Sequence, residues 1–185
     1  MAKTLIRFLG GSQINAGARF LGSSMAQHTG AQNQRDVVEI RLATSDDARD
    51  IWEWRNDDVT KKMSINTGAI SWDVHIKWYE KTLLDDGRYI YIGCLGGDKI
   101  GVCIFNVNVD RNSAEVSINL NPKYRNRGLS HQLLAEAIKI FLHEKNISLV
   151  ATIKKINKSS ERCFLRVGFV FDREDGEFGY YKLIS

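Results

Sequence analysis

The chain has 185 residues, 43% of them hydrophobic and 26% charged, with a formal net charge of +4. That length and apolar content suit one domain with a real core, and no apolar run is long enough to cross a bilayer. The charge is weak support for nucleic-acid binding, because Lys3, Arg7, Arg19 and Arg35 stand against Asp36 alone in residues 1–38 and leave the rest of the chain near neutral.

Cys94, Cys103 and Cys163 are odd in number and form no C-x-x-C, so neither a disulfide framework nor a zinc site is expected, and the default setting is a reducing cytoplasm. Residues 1–37 lack sustained periodicity and are rich in Gly, Ser, Gln and Asn. They read as a poorly ordered extension, with an organelle presequence or the remnant of a fused domain as alternatives. The globular part is residues 38–185.

It opens with a strand over residues 38–42. Ser45 then caps a helix whose first turn carries Asp46 and Asp47. Ala48, Ile51, Trp52 and Arg55 fall on one helical stripe. A guanidinium on an apolar stripe must meet a carboxylate, carbonyls or a ligand, and Arg55 is a candidate for any of these. Ser71 caps a second helix with Trp72, Ile76, Tyr79 and Leu83 as its core stripe; His75, Trp78 and Thr82 share the neighbouring flank. A lone helical histidine is more often structural than catalytic, yet His75 beside Trp78 makes an amphipathic wall suited to a sugar or amine.

Residues 88–95 and 99–107 are apolar, β-branched runs joined through Gly96-Gly97-Asp98, which predicts a hairpin. Residues 114–120 alternate, with Ala114, Val116, Ile118 and Leu120 apolar and Glu115, Ser117 and Asn119 polar. This strand stops at Asn121-Pro122, and a basic loop leads to Gly128, which opens a helix through Leu129, Leu133, Leu134, Ala137, Ile140 and Phe141. Uncapped first-turn amides, a positive dipole end and the charges of Arg125 and Arg127 make an anion site there, which predicts a phosphate-bearing ligand. Neither the Walker pattern nor G-x-G-x-x-G is present. A strand over residues 148–153, a helix from Asn157 that Gly168 ends, and two strands over residues 169–172 and 179–184 complete the chain.

Arg125-Asn126-Arg127-Gly128-Leu129-Ser130 resembles the R/Q-x-x-G-x-G/A signature of the GNAT superfamily of N-acetyltransferases. Asn126 and Ser130 depart from its usual Gly and Gly/Ala. Asn157, Ser160, Phe164 and Gly168-Phe169 are similar to that family's second coenzyme A segment, at the right distance downstream. The resemblance implies an α/β protein of GNAT fold, a splayed mixed sheet flanked by about four helices. It also implies acetyl-CoA as co-substrate, no metal, and a cytoplasmic enzyme that acts on a small-molecule amine, with no nucleic-acid or membrane partner and a homodimer allowed. By the same resemblance Ile118 and Leu120 pair with the pantetheine arm, Arg125, Arg127, Gly128, Leu129 and Ser130 hold the pyrophosphate, and Asn157 holds the arm from the other side.

Trp54-Arg55-Asn56-Asp57 followed by His75-x-x-Trp78-Tyr79 is similar to the amino-sugar N-acetyltransferases of pseudaminic (nonulosonic) acid synthesis. That likeness implies a UDP-linked amino-dideoxy sugar as acceptor, bound by Arg55, His75 and Trp78. A ribosomal-protein N-terminus or a polyamine is the alternative, with Asp57, Asp58 and Asp73 as carboxylates for a polyamine. A non-catalytic CoA-binding sensor is a further one. Glu115 and His75 are the candidate bases, with Glu115 reading alternatively as a solvated or ion-paired sheet residue. Phe164 stands where the family's general-acid Tyr often does, which leaves water, Tyr180 or Tyr181 to protonate the thiolate.

Overall fold

The computed structural model of the protein describes residues 37–183; the expectations placed on residues 1–36 lie outside them. Among these described residues seven strands form one sheet in the order β1-β2-β3-β4-β5-β7-β6. They are β1 (Val38–Leu42), β2 (Arg88–Leu95), β3 (Asp98–Asn108), β4 (Ser113–Leu120), β5 (Ser148–Lys154), β6 (Phe169–Asp175) and β7 (Phe178–Leu183). Among the described residues five α-helices accompany them: α1 (Ala48–Asn56), α2 (Asp58–Met63), α3 (Trp72–Leu83), α4 (Leu129–Glu144) and α5 (Lys158–Arg166). The mixed sheet with flanking helices is the α/β architecture expected, with α2 as an addition.

Strand alternation divides the apolar side chains between two cores on opposite faces of the sheet. Tyr89, Tyr91, Cys103, Phe105, Ala114 and Val116 pack with Leu133, Leu134, Ala137 and Phe141 of α4. The rings of Phe105 and Phe141 stack with centroids 4.3 Å apart. Ile90, Ile92 and Val102 point to the other face and pack with Ala48, Ile51 and Trp54 of α1 and Tyr79 of α3. Trp54 takes the buried place on α1 that the stripe assigns to Trp52, whose indole donates instead to the Ile70 carbonyl at 2.7 Å.

Gly96 and Gly97 both have positive φ, the backbone that a two-residue turn requires between right-twisting strands, and they close the β2–β3 hairpin with Leu95 opposite Asp98. A single 3-10 turn over Ser45–Asp47 precedes α1, so the cap falls on Thr44 for that turn and on Asp47 for the helix, not on Ser45. The β6–β7 turn is also tighter than the sequence suggests, since β6 runs on through the charged residues to Asp175.

Among the described residues the one parallel pair joins β4 to β5, and it covers just three residue pairs, ending at Glu115 opposite Val150. Beyond that point β4 stays bonded to β3 as far as Gly101 opposite Leu120, while β5 turns to β7. The β5-facing edge of β4 from Val116 onward is therefore open. This gap splits the sheet and positions the site. Among the described residues no helix is long and apolar enough to cross a membrane.

Candidate active site

A cleft of about 1550 Å³ passes through the gap. On one face it is walled by the start of α4 and by α5; on the other by α1, α2, the α2–α3 loop and α3. The two ends are chemically different.

At the α4 end, Asn126 and Gly128 both adopt left-handed backbone, with φ of 61° and 72°. Asn is among the few non-glycine residues that tolerate this conformation, which accounts for its presence at a position where the family motif often has Gly. Gly128 is the N-cap of α4 and no side chain caps the helix, so its first-turn amides are free to meet a ligand. A Cβ built on Gly128 would meet nothing within 4 Å, so the space above the loop is open. Positive-φ turns before a helix N-terminus form a concave array of N–H groups suited to phosphate. Gly128, Leu129 and Ser130 line the cleft here, as do Ile118 and Leu120 on the open edge of β4. Across from them Asn157 also lines the cleft and uses its side-chain oxygen to cap α5, accepting from the Ser160 N–H at 3.1 Å.

The two arginines of the loop are placed differently from each other. Arg127 does not line the cleft; its guanidinium lies over the Tyr124 ring at 5.1 Å. Arg125 lines it, but is engaged by Asp57 at 2.7 Å.

On the acceptor side, the α1 stripe brings Arg55 into the cleft. Its Nη2 donates to the Asn66 carbonyl, while Nη1 is buried with no hydrogen-bond partner. No carboxylate meets it among the described residues, and burial pushes its pKa below the usual arginine value. Asn56 anchors the same wall: it accepts from the Ile70 N–H at 2.8 Å and donates to the Ile70 carbonyl at 2.9 Å. Arg88 and Asn106 face each other across β2 and β3 and also line the cleft. Sequence reasoning passed over both residues.

His75 lines the cleft next to Val74 and Trp78, only 2% exposed. Its Nε2 lies 2.9 Å from the Ala48 carbonyl, and its ring stacks on Tyr79 at 5.7 Å. A carbonyl can only accept, so Nε2 carries the proton, and the imidazole braces α1 against α3. Burial lowers its pKa below 6.5, outweighing the Ala48 bond. It is therefore neutral at pH 7, and acidification below 6.5 destabilises the fold because the unfolded chain binds the proton more readily. A His75→Phe variant should lose about 1 kcal/mol with the hydrogen bond and keep kcat within about fivefold. A fall of a hundredfold or more at pH 8 would instead make His75 the base.

Glu115 is exposed and lies outside the cleft lining, although its cross-strand neighbour Asn106 lies within it. Phe164 is buried edge-on against Phe169, with centroids 5.0 Å apart. The two tyrosines considered as substitutes for the missing acid are not at the cleft. Tyr181 donates to Glu161 at 2.8 Å, and burial together with that carboxylate pushes its pKa up to about 12. Tyr180 lies under the Arg173 guanidinium.

A family model described as an acetyltransferase (GNAT) domain matches residues 38–170. The chain belongs to the GNAT acetyltransferase family. Among curated proteins no significantly similar sequence was found. Solved structures of similar fold include the spermidine N-acetyltransferase of Vibrio cholerae in complex with CoA and spermine, at 17% identity over 78% of this chain and 92% of that one, with a TM-score of 0.70. AAC(6')-Ib in complex with ribostamycin and coenzyme A is 19% identical over 80% of this chain and 93% of that one, also with a TM-score of 0.70. As a member of this family the protein is an acetyltransferase; one end of its cleft presents the uncapped start of α4 and the other presents Arg55 and Arg88.

Proposed function

We propose that the protein transfers the acetyl group of acetyl-CoA to a primary amine on an acceptor that also carries negative charge, a UDP-linked amino-dideoxy sugar being the class that fits. The observation that carries this reading is the charge of the cleft. On the acceptor side Arg55 and Arg88 line it, Arg55 with no carboxylate partner, and among the described residues no aspartate or glutamate lines any part of the cleft. A polycationic acceptor needs carboxylates to replace its hydration. Asp57 and Asp58, suggested for a polyamine, are instead tied to Arg125 and Lys61 at 2.7 and 2.9 Å, and Asp73 also lies outside the lining. Trp78 and Val74 give the same wall an apolar surface on which a sugar or base ring can rest.

In this reading the uncapped amides at Gly128, Leu129 and Ser130 take the donor's pyrophosphate. The open edge of β4 near Ile118 and Leu120 pairs with its amide-bearing arm. The same edge offers backbone N–H groups to the oxygen that gains charge as the amine attacks. The new C–N bond forms as the C–S bond breaks, and the proton lost from nitrogen ends on sulfur. No side-chain acid is required, consistent with Phe164. Positioning and the backbone donors then supply most of the rate.

The competing reading is a polyamine acceptor, favoured by the fold likeness to an enzyme solved with spermine. Thiol release from acetyl-CoA, measured over UDP-4-amino sugars, spermidine and an N-terminal peptide, separates the two. The expected kcat/KM for the UDP-amino sugar exceeds that for spermidine by at least about tenfold. Preference for spermidine would sink the anionic acceptor. Calorimetric binding of acetyl-CoA without turnover of any amine would mark a CoA-binding sensor instead.

A further inference from the structure

Arg125 is the loop residue that the family motif directs toward the donor, yet its contacts lead to the opposite wall. Its Nη2 lies 2.7 Å from Asp57 Oδ2 and donates to Thr60 Oγ1 at 2.7 Å. Asp57 is the N-cap of α2, its side chain accepting from the Thr60 N–H at 3.0 Å. Thr60 Oγ1 donates in turn to Asn119 Oδ1 of β4 at 3.2 Å. Burial acts to raise the Asp57 pKa, but the bonds from Arg125 and Thr60 outweigh it and hold the carboxyl below its usual range.

Helices in folded proteins are mostly held by a buried apolar face. α2 has no buried side chain at all. It nevertheless supplies Val59, Thr60 and Met63 to the cleft. With no core contact to place them, these residues depend on the cap at Asp57 and on the polar chain that runs from Arg125 through Thr60 to Asn119.

We propose that Arg125 is a positioning residue for the acceptor wall: through Asp57 and Thr60 it fastens α2 to the donor loop, and the donor's phosphates are left to the backbone amides. A group that binds pyrophosphate directly and one that fastens a helix have different signatures, and Asp57 separates them because it has no place in an anion site. Asp57→Asn keeps an N-cap side chain and removes the ion pair. Arg125→Met removes the same pair from the other end.

The test combines hydrogen exchange over residues 58–64, CoA affinity by calorimetry and steady-state kinetics with the amine that the panel above turns over. In both variants the α2 amides should exchange about tenfold faster or more. The Kd for CoA should stay within about tenfold of the parent, and the acceptor KM should rise about tenfold while the acetyl-CoA KM holds. Unchanged exchange in either variant, or a loss of CoA affinity beyond tenfold in Arg125→Met, overturns the assignment. The kinetic arm rests on the proposed acetyl transfer and the exchange arm does not. Failure of the parent protein to bind CoA would therefore defeat the donor reading alone.

Discussion

Replacing Asp47 by asparagine should cost about 3 kcal/mol of stability, the lower end of the range for breaking a buried ion pair. For a domain of this size that is roughly 6–12 °C in Tm. Asp47 is fully buried, and three groups converge on it. Arg41 of β1 forms a two-pronged pair, with both nitrogen–oxygen distances 2.7 Å. Lys99 of β3 lies at 2.8 Å, and the Thr44 N–H donates at 2.8 Å to close the cap before α1. The low end of the range applies because Arg41 and Lys99 are partly exposed and can be rehydrated once the carboxylate is gone.

The same site fixes the sign of an acid dependence. Burial alone would raise the Asp47 pKa, but the hydrogen bonds from Arg41, Lys99 and the Thr44 N–H outweigh it and hold the carboxyl well below its ordinary 3.8. A folded-state pKa below the unfolded one means that the contribution is fully present above the unfolded value and is lost as pH falls toward the folded one. Urea unfolding of parent and Asp47→Asn should therefore differ by the full amount at pH 7, and the gap should narrow below about pH 4. A gap that stays constant down to pH 2.5 would mean that the loss at pH 7 comes from packing, not from the charge.

The sequence places Asp47 only as a favourable charge in a helix's first turn, because its two cations sit on strands whose register is not written locally. Other parts of the site were legible for a definite reason. The alternation of residues 114–120, the stop at Pro122 and the periodic run from Leu129 are all local, and together they place an anion site at Gly128 without tertiary information. Arg88 shows where that kind of reasoning ends. Alternation along β2 sets Arg88 on the face of Ile90 and Ile92, but counting back from the Gly96-Gly97 turn gives it Phe105, a residue of the α4-side core, as its partner. The register shift between Gly93 and Cys94 leaves Ile100 of β3 without a partner, so Asn106 rather than Phe105 lies beside Arg88 on the side of the acceptor cleft. α2 was invisible for another reason. It has no apolar stripe to read, and its support comes from an arginine on a loop far along the chain.

Replacing Arg55 by alanine should lower kcat/KM for the acceptor by roughly tenfold to a hundredfold or more, the equivalent of one charge-assisted hydrogen bond of about 1.5–3 kcal/mol. The acetyl-CoA KM should stay within about threefold. The stability of the variant is the deciding second readout. A structural arginine has its donors satisfied inside the protein, and its loss lowers Tm. Arg55 has only the Asn66 carbonyl, and leaves Nη1 buried and unpaired. A buried donor without a partner is a cost carried by the unliganded fold, and it is relieved when a ligand oxygen arrives. Arg55→Ala should accordingly be about as stable as the parent, within about 1 kcal/mol. Arg55→Lys should fail to rescue the acceptor KM, since an ammonium cannot reach both the Asn66 carbonyl and a ligand oxygen with the guanidinium's planar geometry. A large drop in Tm with donor and acceptor KM equally affected would return Arg55 to the role of a helix-end strut. Retained stability with a selective loss for anionic acceptors, and not for a neutral amine, would identify the charge that this cleft is built to receive.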